Sequence, residues 1–398
     1  MRTPVLLVAG QGDTDAIARI LLRHERTLVV RHRFDGHVVH RLLTVRHHEI
    51  LTTSDSALEL SHGCVSCTIR DDLLVLLRRL HRRDDVDRIV VHLAPWLEPE
   101  PICWAIHHVR VHVGPGYTDG PAARDVEIGG VITGLDGPEW LQHALGDDEL
   151  DDGRTVAQVV VGQAEFADIV VAPELDPTGL AVLRRLAPRA WIVRCEDHLE
   201  DAVANLEPTA RRGRSDDPWG PLLAGQPPLE ADDEVRIIEF SAARPFHPGR
   251  LHDALDVVLG GVVRTRGRLW LAGQPEQMMY LESAGGGLRV SSGGKWLAAM
   301  DDSELAYVEK ERRALAGMIW DHQHGDRHSS LAILACGADP AEITAALQGA
   351  LLTDAELADP GSWAGLADPF GDWHEDPCGE PAEHSELSTP GTQHGSES

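Results

Sequence analysis

The sequence predicts a doubly wound α/β domain with a mostly parallel sheet, followed by a smaller α+β domain. Three observations carry this expectation. Short apolar runs alternate with helical patterns through residues 1–204. Those runs are apolar on both faces, as strands covered by helices on two sides must be. Periodicity then lapses over 205–233, and a different, strand-rich pattern follows.

The opening segment, "TPVLLVAGQGDTDAIARILLRHE", reads as a buried strand, a Gly-containing turn and an amphipathic helix, the start of a βα unit. Further strands are predicted at "RTLVVRH", "DRIVVHLAP", "GGVITGLD", "ADIVVAPE" and "RAWIVRC", with helices at "RDDLLVLLRRLHRR" and "DPTGLAVLRRLAP". Residues 205–233 are rich in Pro, Gly, Asp and Arg and read as a linker or long surface loop. The second domain is expected over 234–373. Its strands are "EVRIIEFSAA", "GRLWLAGQ", "MMYLESAG", "GLRVSSGGKWLAAM" and "SSLAILACG", and its helices include "DPAEITAALQGALL" and "TDAELADPG". Residues 374–398 are polar, low in complexity and expected to be disordered.

Composition excludes several function classes. With 42% hydrophobic and 25% charged residues the 398-residue chain has the profile of a globular protein. No apolar run approaches a bilayer span and residues 1–20 lack a signal pattern, so a cytoplasmic location and no membrane contact are expected. The net charge of −28 argues against nucleic-acid binding through a global positive field. Two local basic clusters, Arg78/Arg79/Arg82/Arg83 and Arg211/Arg212/Arg214, read as solvated helix face and linker. Lysine occurs only at Lys295 and Lys310. Of the six cysteines, Cys103, Cys195, Cys336 and Cys378 are isolated and read as small core hydrophobes or tail residues, which leaves the pair in "SHGCVSCTIRDDLL" as the informative ones.

The stretches "HGCVSCTIRDDLL", "RTRGRLWLA", "ESAGGGLRVSSGGKWLAA", "WDHQHGDRHSSLAI" and "LLTDAEL", in that order, resemble the CobW-like family of P-loop GTPase relatives that handle zinc and cobalt. The resemblance implies a P-loop NTPase-like first domain and a CobW-type C-terminal domain. The family's P-loop is G-x-x-x-x-G-K-[ST], whose amides and lysine hold phosphate and whose hydroxyl binds magnesium. Here "AGQGDTDAIARILL" is shortened, has no lysine and puts Asp13 and Asp15 where phosphate charge would arrive. The family's glutamate-containing strand end becomes "VVHLAPWLEP", with His92 in place of the glutamate, and its guanine-reading N-K-x-D becomes "PELD". Gly10, Gly12, Thr14 and Asp176 are what remains of the nucleotide-contacting set. GTP and magnesium are therefore not expected as working cofactors, since phosphoryl transfer rests on electrostatic positioning.

The family's C-x-C-C signature reads Cys64-Val65-Ser66-Cys67 here. Two thiolates at this spacing can approach one zinc ion, and His62 and Glu59 are near enough in sequence to add ligands. Glu59 matches a carboxylate upstream of the family motif; His62 stands where Asn is more usual. A thioredoxin-like redox pair and simple packing compete with this reading. Asp71 and Asp72, expected in the first turn of the following helix, oppose thiolate activation, so zinc is favoured. Serine in place of the central thiol weakens the site, which suits sensing better than storage. The histidines between 24 and 48 lack a helical i, i+4 pair and are expected mostly to face solvent. His374, His384 and His394 fall in the tail.

Two functions follow from the resemblance. One is a zinc-linked adaptor that does not hydrolyse GTP, similar to the family branch that recruits a ribosome hibernation protein when zinc is scarce. Its acidic surface would favour a basic protein partner, ribosomal or hibernation factor, over naked RNA. The other is an active metallochaperone GTPase delivering zinc or cobalt to a client protein. In the second domain, Gly325, Asp326, Arg327 and His328 match a family segment in which Asp326 and Arg327 form an ion pair or a partner contact. Trp270, Trp296, Trp320 and Trp363 are expected in the core.

Overall fold

The computed structural model describes residues 2–370 except 48, 49, 61–63, 217, 218 and 221. His62 and the tail beyond Phe370, with Cys378 and its histidines, lie outside the described residues.

The first domain runs β1 (Thr3–Gly10), α1 (Thr14–Leu21), β2 (Thr27–Phe34), β3 (Val39–His47), β4 (Ile50–Leu58), α2 (Val65–Leu80), β5 (Arg88–His92) and α3 (Pro99–His108). It continues through β6 (Val126–Gly134), α4 (Trp140–Leu145), α5 (Val156–Phe166), β7 (Ile169–Val171), α6 (Pro177–Leu186), β8 (Trp191–Val193) and α7 (Leu199–Ala204). These strands form one sheet of order β4-β3-β2-β5-β1-β6-β7-β8. The pairings from β2 to β8 are parallel, and β3 pairs antiparallel with both β2 and β4. Alternation along β1 divides the core between two layers. Val5 and Leu7 join Leu73 and Leu77 of α2 and Ile106 of α3, whereas Leu6 and Val8 join Ile17 and Leu21 of α1 and Leu199 of α7. Each such buried side chain contributes about 1.5–3 kcal/mol relative to exposure.

The β3–β4 hairpin departs from the expected parallel pattern. The turn that leads from β2 into β3 is set by Asp35, whose Oδ1 accepts from the backbone N–H groups of His37 and Val38. The histidines there are not simply solvent-facing. His32 is buried, with Nε2 2.8 Å from Asp72 Oδ2, and His40 lies between Asp35 and Asp55 at 3.0 Å from each.

The second domain comprises β9 (Val235–Ala242), α8 (Pro248–Leu259), β10 (Val262–Trp270), β11 (Gln277–Ala284), β12 (Gly287–Lys295), α9 (Asp302–Ala306) and α10 (Lys310–Ile319). It closes with β13 (Ser329–Cys336), α11 (Pro340–Ala350) and α12 (Asp354–Leu357). The strands form an antiparallel sheet of order β12-β11-β10-β13-β9. α8 and α11 cover one face around Phe246, Leu251 and Ile343. A separate apolar cluster joins α4, α5 and α6 to Val235, Val263 and Leu334, so the two domains share a core.

Several expectations on the second domain change. Trp270, Trp296 and Trp363 are buried, but Trp320 is 52% exposed. Asp326 and Arg327 do not pair with each other. The Asp326 carboxylate accepts from the amides of Leu297 and Ala298, each at 2.9 Å, and Arg327 donates to the carbonyls of Pro275 and His324. Cys103 and Cys336 are buried as expected; Cys195 is exposed. Arg78 is not part of a solvated face. It is buried, donating to Asp125 and to the carbonyls of Thr118 and Gly120.

Candidate functional site

Ligands of doubly wound sheets bind beyond the carboxyl ends of the strands where strand order reverses, which here is the end of β1 between β5 and β6. Only Gln11, Gly12 and Asp13 separate β1 from α1. Gly10 has φ +114°, and a Cβ there would lie 2.0 Å from the Gly134 carbonyl oxygen. A Cβ on Gly12 would lie 2.5 Å from the Leu135 carbonyl oxygen, and the Gly12 amide donates to Gly134 at 3.0 Å. Both glycines are thus accounted for by close approach to the end of β6.

The remaining groups of the turn are engaged within the protein. Asp13 caps α1, its Oδ1 accepting from the Ala16 amide at 2.7 Å, so the positive end of the helix already faces a carboxylate. Arg19 reaches back to Asp13 at 3.8 Å. The Thr14 hydroxyl lies 2.9 Å from His92 Nε2, and Asp15 accepts from Arg31 at 2.8 Å. Burial first, and then the charge of Arg31, hold the His92 imidazole down at about 4, against the opposing pull of Asp15, so it is neutral at pH 7. Gln11 donates to Pro95 and to Gln163, and Gln163 donates to the carbonyls of Pro95 and Leu97. Asp176 is distant in sequence and caps α6, accepting from the Gly179 amide at 2.6 Å. Gly10, Gly12, Thr14 and Asp176 therefore all have local structural roles.

The cysteine pair sits at the start of α2. Cys64 is the N-cap, in an extended conformation, and its Sγ accepts from the Cys67 amide at 3.2 Å. Thr68 fixes this turn by donating its hydroxyl to the Cys64 carbonyl at 2.7 Å. Both thiols are half-buried, and Ser66 between them is exposed. The neighbouring Cys67 thiol, and then the Cys67 amide, hold the Cys64 thiol below its ordinary range. A depressed thiol at a helix N-terminus beside a second thiol fits two of the four positions around a tetrahedral zinc ion. Glu59 is exposed just beyond β4. Among the described residues no group of three His, Cys, Asp or Glu side chains is assembled for a metal, and His62 is outside them.

The acidic residues expected in the first turn of α2 are not there. The helix begins at Val65, so Asp71 and Asp72 lie in the next turn, and Asp72 is bound to His32 and to Arg41 at 2.7 Å. Asp72 instead ties the cysteine-bearing helix to β2 and β3. Sequence reasoning missed this clamp and the His92–Thr14 pair, because neither joins residues close in sequence.

The chain matches the CobW/HypB/UreG nucleotide-binding domain over residues 9–190 and the cobalamin synthesis protein cobW C-terminal domain over 235–351. It is 64% identical over 381 residues, 96% of each chain, to zinc chaperone Rv0106 of Mycobacterium tuberculosis. It is 24% identical to zinc-regulated GTPase metalloprotein activator 1 of Dictyostelium discoideum, over 76% of this chain and 67% of that one. Among solved structures, zinc-bound YjiA GTPase from E. coli aligns over 88% of this chain and 99% of that one, at 15% identity and a TM-score of 0.32. A mostly parallel first domain, an antiparallel second domain and matches spanning both make this chain a member of the CobW/HypB/UreG family with a CobW C-terminal domain.

Proposed function

We propose that this chain is a zinc-linked adaptor built on a GTPase-like scaffold that does not hydrolyse GTP by the P-loop mechanism. The observation that carries the reading is the turn Gln11–Asp13. It is short, holds no lysine, has glycines packed on β6, and leads into a threonine whose hydroxyl is engaged by a neutral histidine. A triphosphate with magnesium needs free amides, a cation and a free hydroxyl at that position. Zinc is held through Cys64 and Cys67, with Glu59 and His62 as further ligands. The names of the relatives, a zinc chaperone and a zinc-regulated activator, support zinc as the metal.

The partner in this reading is a basic protein of the ribosomal or hibernation-factor kind, met in the cytoplasm through the acidic surface that a net charge of −28 provides. Among the described residues no helix is long and apolar enough to cross a membrane. Co-sedimentation of the purified protein with ribosomes, in zinc-replete and chelated buffer, tests this. Association that changes with zinc supports the adaptor; no association in either buffer rules it out. The relatives' names also favour a second reading, an active zinc or cobalt metallochaperone GTPase, in which metal delivery is coupled to GTP turnover.

A further inference from the structure

The β3–β4 hairpin ends the first sheet, and β4 is its outermost strand. All nine residues of β4 pair with β3 without a shift of register, so the strand runs long and unbroken along the sheet edge. Among the described residues no other strand pairs with it. Its far edge therefore presents a row of backbone N–H and C=O groups that only water or another chain can satisfy. Ser56 and Leu58 are half-buried and the other residues are exposed, including Ile50 at 70% and Leu51 at 50%.

The other sheet edges carry features that discourage pairing. β8 is three residues long. β12 carries Arg289 and Lys295 and shifts register against β11 between Gln277 and Met279, and β9 carries Arg236 and Glu239. β4, "ILTTSDSAL", has no Lys, Arg, Pro or Gly. Its single charge is answered inside the hairpin, where Asp55 Oδ1 lies 3.0 Å from His40 Nδ1.

The order of residues in β4 decides what suits this edge. From either end the strand passes from apolar residues to small polar ones at its centre. Turned antiparallel on itself about Ser54, it sets Ile50 against Leu58, Leu51 against Ala57, Thr52 against Ser56 and Thr53 against Asp55. Directly opposed residues share a face of the sheet, so apolar meets apolar at both ends and no carboxylate faces another. Neither neighbouring register does this. Centring on Asp55 opposes the two carboxylates, and centring on Thr53 sets Asp55 against Leu51.

We propose that β4 is a self-pairing edge, at which two copies of this chain join antiparallel about Ser54 so that one sheet runs across the two-fold axis. A contact built on one strand pair is small, so a reversible dimer in the micromolar range is expected. The interface involves neither the turn after β1 nor the cysteine pair, and it stands apart from the adaptor reading.

Sedimentation equilibrium of the full-length protein, at physiological ionic strength and with a metal chelator present, tests this. A monomer–dimer equilibrium is expected. Ser54→Lys and Ser54→Glu each place like charges on the axis and should weaken the dimer about fivefold, whereas mixing the two variants should restore it. Ser54 is exposed, so the thermal midpoint of each variant should match the wild type. A monomer throughout the micromolar range overturns the proposal and leaves the edge to a different protein. A dimer that neither Ser54 variant weakens also overturns it, since the interface then lies elsewhere. So does a dimer that forms only with zinc and is lost in Cys64→Ser, because metal rather than strand pairing would then join the copies.

Discussion

Thr14 Oγ1 lies 2.9 Å from Nε2 of His92, and this contact joins the first residue of α1 to the last residue of β5. In a working P-loop the hydroxyl at the helix start serves magnesium. Here it serves a buried imidazole. Replacing Thr14 by Ala leaves His92 Nε2 without its partner and is expected to cost about 1–3 kcal/mol of stability, read by urea denaturation. GTP-dependent properties should not move, since in this account the hydroxyl takes no part in them.

His92 also sets a pH dependence. Its folded value is lowered to about 4 from 6.5, so between those values the unfolded chain binds the extra proton. Stability should therefore rise with pH across that window, be complete above it, and be lost as pH falls through it. The contribution is on the order of 3 kcal/mol. Denaturation of wild type and His92→Gln at pH 4.5 and pH 7 checks this, with a smaller pH effect expected in the variant. An NMR titration giving His92 an ordinary value would contradict it.

The cysteine site can be improved by restoring what the family signature contains. Ser66 is exposed between two half-buried thiols on the first turn of α2, so Ser66→Cys adds a thiolate without disturbing the core. Zinc affinity, measured by competition with a chromophoric chelator, is expected to rise about tenfold or more, because thiolate is a far better zinc ligand than a hydroxyl. Cys64→Ser with Cys67→Ser should abolish stoichiometric zinc. Retained zinc in that double variant would place the metal elsewhere.

Much of the fold was legible. Continuous apolar runs such as Val5–Ala9 and Ile89–Val91 are buried on both faces and gave away the parallel strands. The antiparallel β3 and β4 were not anticipated, although "FDGHV" between β2 and β3 carries an Asp-Gly turn signal, because both strands mix apolar residues with polar ones without a clean alternation. The start of α2 was placed too late because cysteine is an unusual cap; that misplacement put Asp71 and Asp72 in the wrong turn. At the turn after β1 the sequence shows that no lysine is present, while the contacts of its residues with the Gly134 backbone, His92 and Gln163 are visible only in the structure. Contacts of that kind depend on strand order, which local pattern does not encode.

Glu165 adds an ionic link between α5 and β10 to the apolar core that the domains share. Burial alone would raise its carboxyl, but Arg264, Arg266 and Arg211 outweigh that and hold it down at about 2. Its contribution is present above the ordinary glutamate range and is lost as pH falls from about 4.5 to 2. Glu165→Gln leaves two half-buried guanidiniums without their shared acid and is expected to cost about 1–3 kcal/mol. Calorimetry should then resolve separate unfolding of the two domains, where a single transition is expected for the wild type.

Magnesium-dependent GTP turnover and zinc content, measured on the same preparation, test the central claim most directly. Zinc bound through Cys64 and Cys67 and no turnover above buffer are expected. Zinc-responsive GTP hydrolysis that disappears in Thr14→Ala would contradict it, because that hydroxyl would then be serving magnesium rather than His92.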